Sequence, residues 1–208
     1  MKRKFGTLLM VLGAMLLAAA LNLYLYNHKE QAQAAQASGE AIHKVAQAIH
    51  QRAEQETQPL PSEQPPEPTA APEQVMSVVD IDGYGYIGFV TIPALQLELP
   101  VMTDWTYPQL KICPCRYSGS VYTDDLVIMA HNFAKHFGYL NRLKVGNTVL
   151  FTDMDAQVWE YEVVAKDVLN PAAVEDMTAG EYDLTLFTCT YGGESRITIR
   201  CDQVSPGQ

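Results

Sequence analysis

Residues 184–201 read LTLFTCTYGGESRITIRC: an alternating apolar run ends in Cys189, a Gly-Gly pair turns the chain, and a second alternating run starts at Arg196. Period-two alternation on both sides of a glycine turn predicts an antiparallel hairpin. In that hairpin Arg196 falls roughly across from Cys189, and Arg200 lies four residues, about 13 Å, further along the same face. Similar punctuation runs back through YGYIGFVTIP, LQLELPVM, DLVIMAHN, NTVLF and QVWEYEVVAKDVL. Within the last of these, Val158, Glu160, Glu162 and Val164 share one face, and Trp159, Tyr161 and Val163 the other. About seven short strands over roughly 130 residues predict an all-β domain, a sandwich or a closed barrel, and the barrel is favoured. Helix is scarce. AKHFGYLNRL (134–143) sets Phe137, Leu140 and Leu143 near a helical spacing, YPQLKI (107–112) has room for a turn or two, and DMDAQ (153–157) reads as a turn with Asx-type bonds.

The N-terminal third is different material. Residues 5–26, FGTLLMVLGAMLLAAALNLYLY, form an apolar run of the length that crosses a hydrocarbon core of about 30 Å. Lys2, Arg3 and Lys4 precede it, and such a cluster stays cytoplasmic, which leaves the rest of the chain outside. A cleaved secretory signal is the competing reading; the run outlasts the usual h-region of about 7–15 residues. Residues 30–58 are rich in Ala, Gln and Glu, with Ile42, Val45 and Ile49 forming a thin apolar stripe, the pattern of a stalk helix with a weak self-association surface. Residues 59–72, PLPSEQPPEPTAAP, then favour an extended spacer. The expected division is a cytoplasmic tail (1–4), a transmembrane anchor (5–26), a stalk and linker (27–74) and a folded domain (75–208). No second apolar span follows, so the C-terminus is expected to be free. The folded part carries eight Lys/Arg against seventeen Asp/Glu, a net charge of −9. Phosphate binding needs clustered cations, so the acidic balance argues against nucleic acid, and none is expected as a partner.

Chemistry concentrates at the strand ends. Cysteines stand at 113, 115, 189 and 201. In an exported protein they pair by default, Cys113 or Cys115 with Cys201 being easier than the small ring of Cys113 with Cys115; in a reducing envelope all four stay free. Cys189 is set apart by its place at a sheet margin near a guanidinium, which favours the attacking thiolate, although a buried small thiol is the plain structural alternative. A cysteine nucleophile needs a proton donor for its leaving group. His28, His43 and His50 belong to the anchor and stalk, and His136 to the expected helix. His131, delivered by the strand DLVIMA with Asn132 beside it, is therefore the choice. Arg196 serves the site or pairs with Glu194 at the rim; Asn132 orients His131 or caps the expected helix. Zinc and calcium are not expected, because no Cys-x-x-Cys pair exists and Asp153 and Asp155 are too few ligands.

TLFTC at 185–189 followed by Arg196, with AHNFAKHFGYL at 130–140 upstream, resembles the sortases, membrane-anchored cysteine transpeptidases of Gram-positive bacteria. The resemblance covers about residues 80–204. It implies a closed eight-stranded barrel with one or two short helices, in which His131, Cys189 and Arg196 line a groove. It further implies that Asn132, Thr188 and Tyr191 contact substrate, although Tyr191, Gly192 and Gly193 also suffice simply to make the turn. The implied partners are surface proteins bearing a Leu-Pro-x-Thr-Gly-like sorting signal and an amine of the cell wall or of another protein, with no cofactor. Subclass stays open: only PAAVEDMTAGEY (171–182) offers room for an insertion before the final hairpin, and DWTY (104–107) is a candidate lid remnant. A papain-like protease is excluded by order, since no histidine follows Cys189. A membrane-tethered, disulfide-stabilised scaffold domain is the non-enzymatic alternative.

Overall fold

The computed structural model describes residues 2–56 and 74–204, with side chains from residue 6 onward; the proline-rich linker expected at 59–72 lies outside the described residues. Strand β1 (Val79–Ile81) turns into β2 (Tyr84–Ile92) through Asp82 and Gly83, whose φ values of 55° and 81° give the left-handed pair that a tight hairpin requires. There follow β3 (Leu97–Met102), β4 (Cys115–Ser118), β5 (Leu126–Met129), β6 (Thr148–Asp153), β7 (Val158–Leu169), β8 (Leu184–Cys189) and β9 (Arg196–Gln203). Hydrogen bonding runs in the order β1-β2-β3-β4-β5-β8-β9-β7-β6, and β6 pairs back onto β2. Strands β2 to β9 thus close an eight-stranded barrel, with β1 as a spur on β2. Most pairs are antiparallel, but β3 and β4 meet in parallel at Met102 and Cys115, and β5 and β8 run parallel, Leu126 to Met129 beside Leu184 to Phe187. At the closure Gly88 faces Asp153; a Cβ there would lie 2.0 Å from the Thr152 carbonyl oxygen, so only glycine lets β2 and β6 approach.

Alternation fills the barrel. Val90 and Ile92 of β2, Leu99 and Val101 of β3, Tyr161 and Val163 of β7, Leu184 and Leu186 of β8, and Ile199 and Cys201 of β9 meet in one core. The faces assigned to β7 hold as far as Val163, where a bulge shifts the register with β9. DMDAQ is a turn as expected: the Asp153 carboxylate accepts from the backbone N–H groups of Asp155 and Gln157 and from Trp159 Nε1.

Two expectations are corrected. Residues 134–143 do not form a helix; they make turns and one 3-10 turn, Leu140–Arg142. A Cβ on Gly138 would lie 2.6 Å from the Asn132 carbonyl oxygen, so the chain folds back on itself more tightly than a helix does, while Phe137, Leu140 and Leu143 still reach the core. The stalk stripe is not a free surface either. A single helix, α1 (Lys2–Glu56), carries the apolar run and the stalk without a break. Ala34, Ser38, Ala41, Val45 and Ile49 are buried along one face, and Ala41, Val45 and Ile49 pack with Tyr86, Met102, Leu110, Cys113, Cys115 and Met154 on the outside of the barrel. Ion pairs Glu30–Lys111 (2.6 Å), Lys44–Asp82 and Arg52–Asp155 (2.6 Å) line the contact. Cys113 and Cys115 therefore lie under α1 while Cys201 faces the barrel core, and all four thiols are free.

Candidate active site

The β8–β9 hairpin sets the first two groups. Its register pairs Cys189 directly with Arg196 and Thr185 with Arg200. Because side chains alternate, Leu184 and Leu186 enter the core while Phe187 and Cys189 face outward. The connecting turn is tied by the Thr190 N–H to the Ser195 carbonyl (2.9 Å) and the Ser195 N–H to Thr190 Oγ1 (3.1 Å). Gly192 and Gly193 take φ values of 90° and 80°, which side chains resist. Arg196 Nη1 donates to the carbonyls of Gly193 (3.0 Å) and Ser195 (3.2 Å), which holds the guanidinium at the hairpin base.

The parallel strand β5 delivers the third group. Beyond its end, the Ala130 N–H donates to the Phe187 carbonyl (3.2 Å), and Thr188 Oγ1 donates to the Ala130 carbonyl (2.8 Å). Asn132 Nδ2 donates to the Thr190 carbonyl (3.4 Å). The segment bearing His131 is thus clipped on both sides to the segment bearing Cys189. The His131 ring stacks on Phe133 at 4.8 Å, and its Nε2 is buried with no hydrogen-bond partner. Burial lowers its pKa from the ordinary histidine value; the Lys111 charge acts in the same direction and Glu30 opposes it.

His131, Cys189 and Arg196 line one cleft of about 220 Å³, together with Thr188. Helix α2 (Tyr107–Leu110) and the neighbouring Trp105 supply one wall, so the DWTY segment does border the cleft. Helix α3 (Val174–Met177), within the 171–182 segment, supplies the other through Pro171, Val174 and Met177. The aromatic floor is layered, with Trp105 stacked on Tyr117 and Tyr117 edge-on to Phe187. A polar apparatus invisible to sequence reading fixes the α3 wall. Arg200, 5% exposed, donates to the carbonyls of Met177 and Asp176 and to Thr185 Oγ1, and pairs with Asp167 at 3.3 Å. Also missed was α1: Gln31 Oε1 accepts from the Ala134 N–H (3.5 Å), and the Ala34 carbonyl lies near the buried His136 ring, so the helix supports the loop after His131. The one signal in the sequence was the stripe of Ile42, Val45 and Ile49; Val45 and Ile49 are buried, whereas Ala41 rather than Ile42 completes the buried face. Tyr191 stands apart: it is 99% exposed, does not border the cleft and faces α1.

This geometry gives a half-buried thiol, an imidazole and a fixed guanidinium on the lining of one largely apolar cleft, the parts needed for acyl transfer through a thioester. The fold is similar to that of solved sortases. Sortase C of Streptococcus pneumoniae aligns with a TM-score of 0.58 and 21% identity over 80% of this chain and 97% of its own. A sortase D transpeptidase of Clostridium perfringens gives 0.58 and 12% over 82% and 99%. Sortase A of Corynebacterium diphtheriae gives 0.54 and 24%, with this chain covering 64% of that one's length. Among curated proteins no sequence matches. The sortase domain model matches residues 90–204, over half of the chain, from the C-terminal end of β2 to just past β9 with the whole cleft between them, and on that match the chain belongs to the sortase family.

Proposed function

We propose that the chain is a cysteine transpeptidase that cleaves a C-terminal sorting signal of the Leu-Pro-x-Thr-Gly type and joins the acyl part to an amine of the cell wall or of another protein. The observation that carries this is the register pairing of Cys189 with Arg196, at the mouth of a cleft that His131 also lines. The signal lies extended along the aromatic floor. His131, neutral at the outset, takes the thiol proton as the Cys189 sulfur attacks the carbonyl carbon of the scissile bond; the C–S bond forms, the C–N bond breaks, and the departing amine takes that proton from His131. An incoming amine then attacks the thioester and gives a proton to His131; the new C–N bond forms, the C–S bond breaks, and His131 passes the proton to the departing sulfur, which restores the Cys189 thiol and the neutral ring. Arg196 holds the developing oxyanion or the substrate backbone: with Nη1 fixed by the turn, its charge is already placed when negative charge develops. Asn132 and Thr188 hold the two strand ends together, and Thr188 also borders the bound peptide.

The lowered His131 pKa leaves the ring neutral at pH 7 and ready to accept the proton of the incoming amine. α1 anchors the enzyme: it is long and apolar enough to cross a membrane, and the N-terminal basic residues fit an orientation with the catalytic barrel outside the cell. The free, half-buried Cys189 counts against a disulfide-stabilised scaffold.

The test uses the full chain in detergent with a panel of Pro-x-Thr-type peptides, with and without an amine acceptor, and reads product mass. A product joined to the amine, lost in Cys189→Ala, is expected. Free acid alone at every amine concentration would make the enzyme a hydrolase, and an intact panel would return the scaffold reading.

A further inference from the structure

Tyr191 at the tip of the β8–β9 turn is a large aromatic side chain left 99% exposed, two residues beyond Cys189. It does not face open solvent alone. With α1 it borders a gap of about 390 Å³ whose helix side changes character along its length. Ala20, Leu23 and Tyr24 are the apolar end, and Asn27, His28 and Gln31 the polar end. That step coincides with the end of the apolar run, where Tyr24 and Tyr26 are themselves exposed, as aromatic residues are at a bilayer's interface. α1 does not swing freely about this point, because Ala34, Ala41, Val45 and Ile49 are buried against the barrel and Glu30 is paired with Lys111. The opposite end of the barrel is far off: Arg52, bonded to Asp155, lies 26 residues beyond Tyr26, about 39 Å along the helix at 1.5 Å per residue.

We propose that the β8–β9 turn is a membrane contact, with Tyr191 seated in the glycerol and headgroup layer beside α1 so that the mouth of the Cys189 cleft rests at the lipid surface. The proposal rests on the reading of α1 as a membrane anchor. The partner is a phospholipid bilayer recognised through an aromatic side chain, not through charge: the turn adds Glu194 and no cation, and residues 75–208 are acidic. Neutral phosphatidylcholine therefore suffices, and salt leaves the contact unchanged. In this arrangement a substrate still held in the membrane presents its cleavage site to Cys189 without being lifted from the bilayer.

Two tryptophans, Trp105 and Trp159, allow a direct test. Trp159 pairs with Phe151 beside the turn that binds Arg52, at the end of the barrel remote from the apolar run, and serves as the internal reference. The full chain is reconstituted in phosphatidylcholine vesicles whose acyl chains are brominated close to the headgroup, as two variants: Trp105→Phe, which keeps the reference, and Tyr191→Trp in the background of Trp105→Phe and Trp159→Phe. The indole at position 191 is expected to be quenched at least about twofold more than the reference, at low and high salt alike. Equal quenching in chains that float with the vesicles overturns the membrane contact and leaves the anchor standing. Chains that do not float with the vesicles overturn both.

Discussion

Burial separates the four cysteines. Cys113, Cys115 and Cys201 are enclosed, and burial pushes all three thiols up, Cys115 to about 12, so none of them forms thiolate near neutral pH. Cys189 alone is half-exposed. Iodoacetamide is expected to add one group to the native chain, at Cys189, and four after unfolding, read by peptide mass; two fast-reacting thiols in the native chain would contradict the burial. Thr188 is a second site of leverage. Replacing it with Val removes the donor to the Ala130 carbonyl and leaves that oxygen unpaired, a cost of about 1–3 kcal/mol. The same change loosens the segment that positions His131, so peptide cleavage should slow by about tenfold or more, measured as kcat/KM beside the denaturation midpoint. The nearness of Cys189 to Arg196 was readable in the sequence because strand alternation and a short turn fix it. The Thr188 bond was not, since it joins strands 58 residues apart, and periodicity is silent on such pairings.

The strands were legible and the helical segments less so, for a physical reason. A strand in this barrel declares its inward face by alternation, whereas 134–143 has helical spacing but is shaped by the backbone contact at Gly138. Gly138→Ala forces its new Cβ against the carbonyls of Asn132 and Phe133 and should destabilise the fold by about 1–3 kcal/mol, as overpacking does. α1 differs from its expected form in another way. The stripe at Val45 and Ile49 is plain in the sequence, but a stripe does not name its partner, and the outer face of β2 and β3 that receives it belongs to strands whose alternation declares only the inward face. Ile49→Ala should weaken the docking by about 2 kcal/mol, the low end for a large-to-small change because the site borders solvent. Faster hydrogen exchange over residues 41–56, with the barrel amides unchanged, is the expected result.

At the scale of the whole molecule the barrel, α1 and the His131 loop converge on His136, which is fully buried between them. Neither ring nitrogen has a hydrogen-bond partner of good geometry, and burial holds its pKa at about 4, with the His131 charge acting in the same direction and the nearby backbone of Ala34 and Ile112 opposing it. An unfolded histidine protonates near 6.5, so as pH falls from about 6.5 to about 4 the unfolded chain takes up a proton that the folded chain refuses. Stability is therefore full above about 6.5 and declines toward 4, by about 3 kcal/mol from this ring alone, and His131 adds to the decline. Urea denaturation of the full chain in detergent at pH 7 and pH 4 should show the loss, and His136→Phe should reduce it. The proposed chemistry uses the same assembly at neutral pH, where His131 and His136 are both uncharged. Its most direct test is intact mass of the full chain after brief exposure to a Leu-Pro-x-Thr-Gly peptide without acceptor, with peptide mapping of the product. The expected result is an added mass equal to the N-terminal acyl part of the peptide, on Cys189 and nowhere else, released by hydroxylamine and absent in Cys189→Ala. An acyl group on another residue, or cleavage that persists in Cys189→Ala, would contradict it.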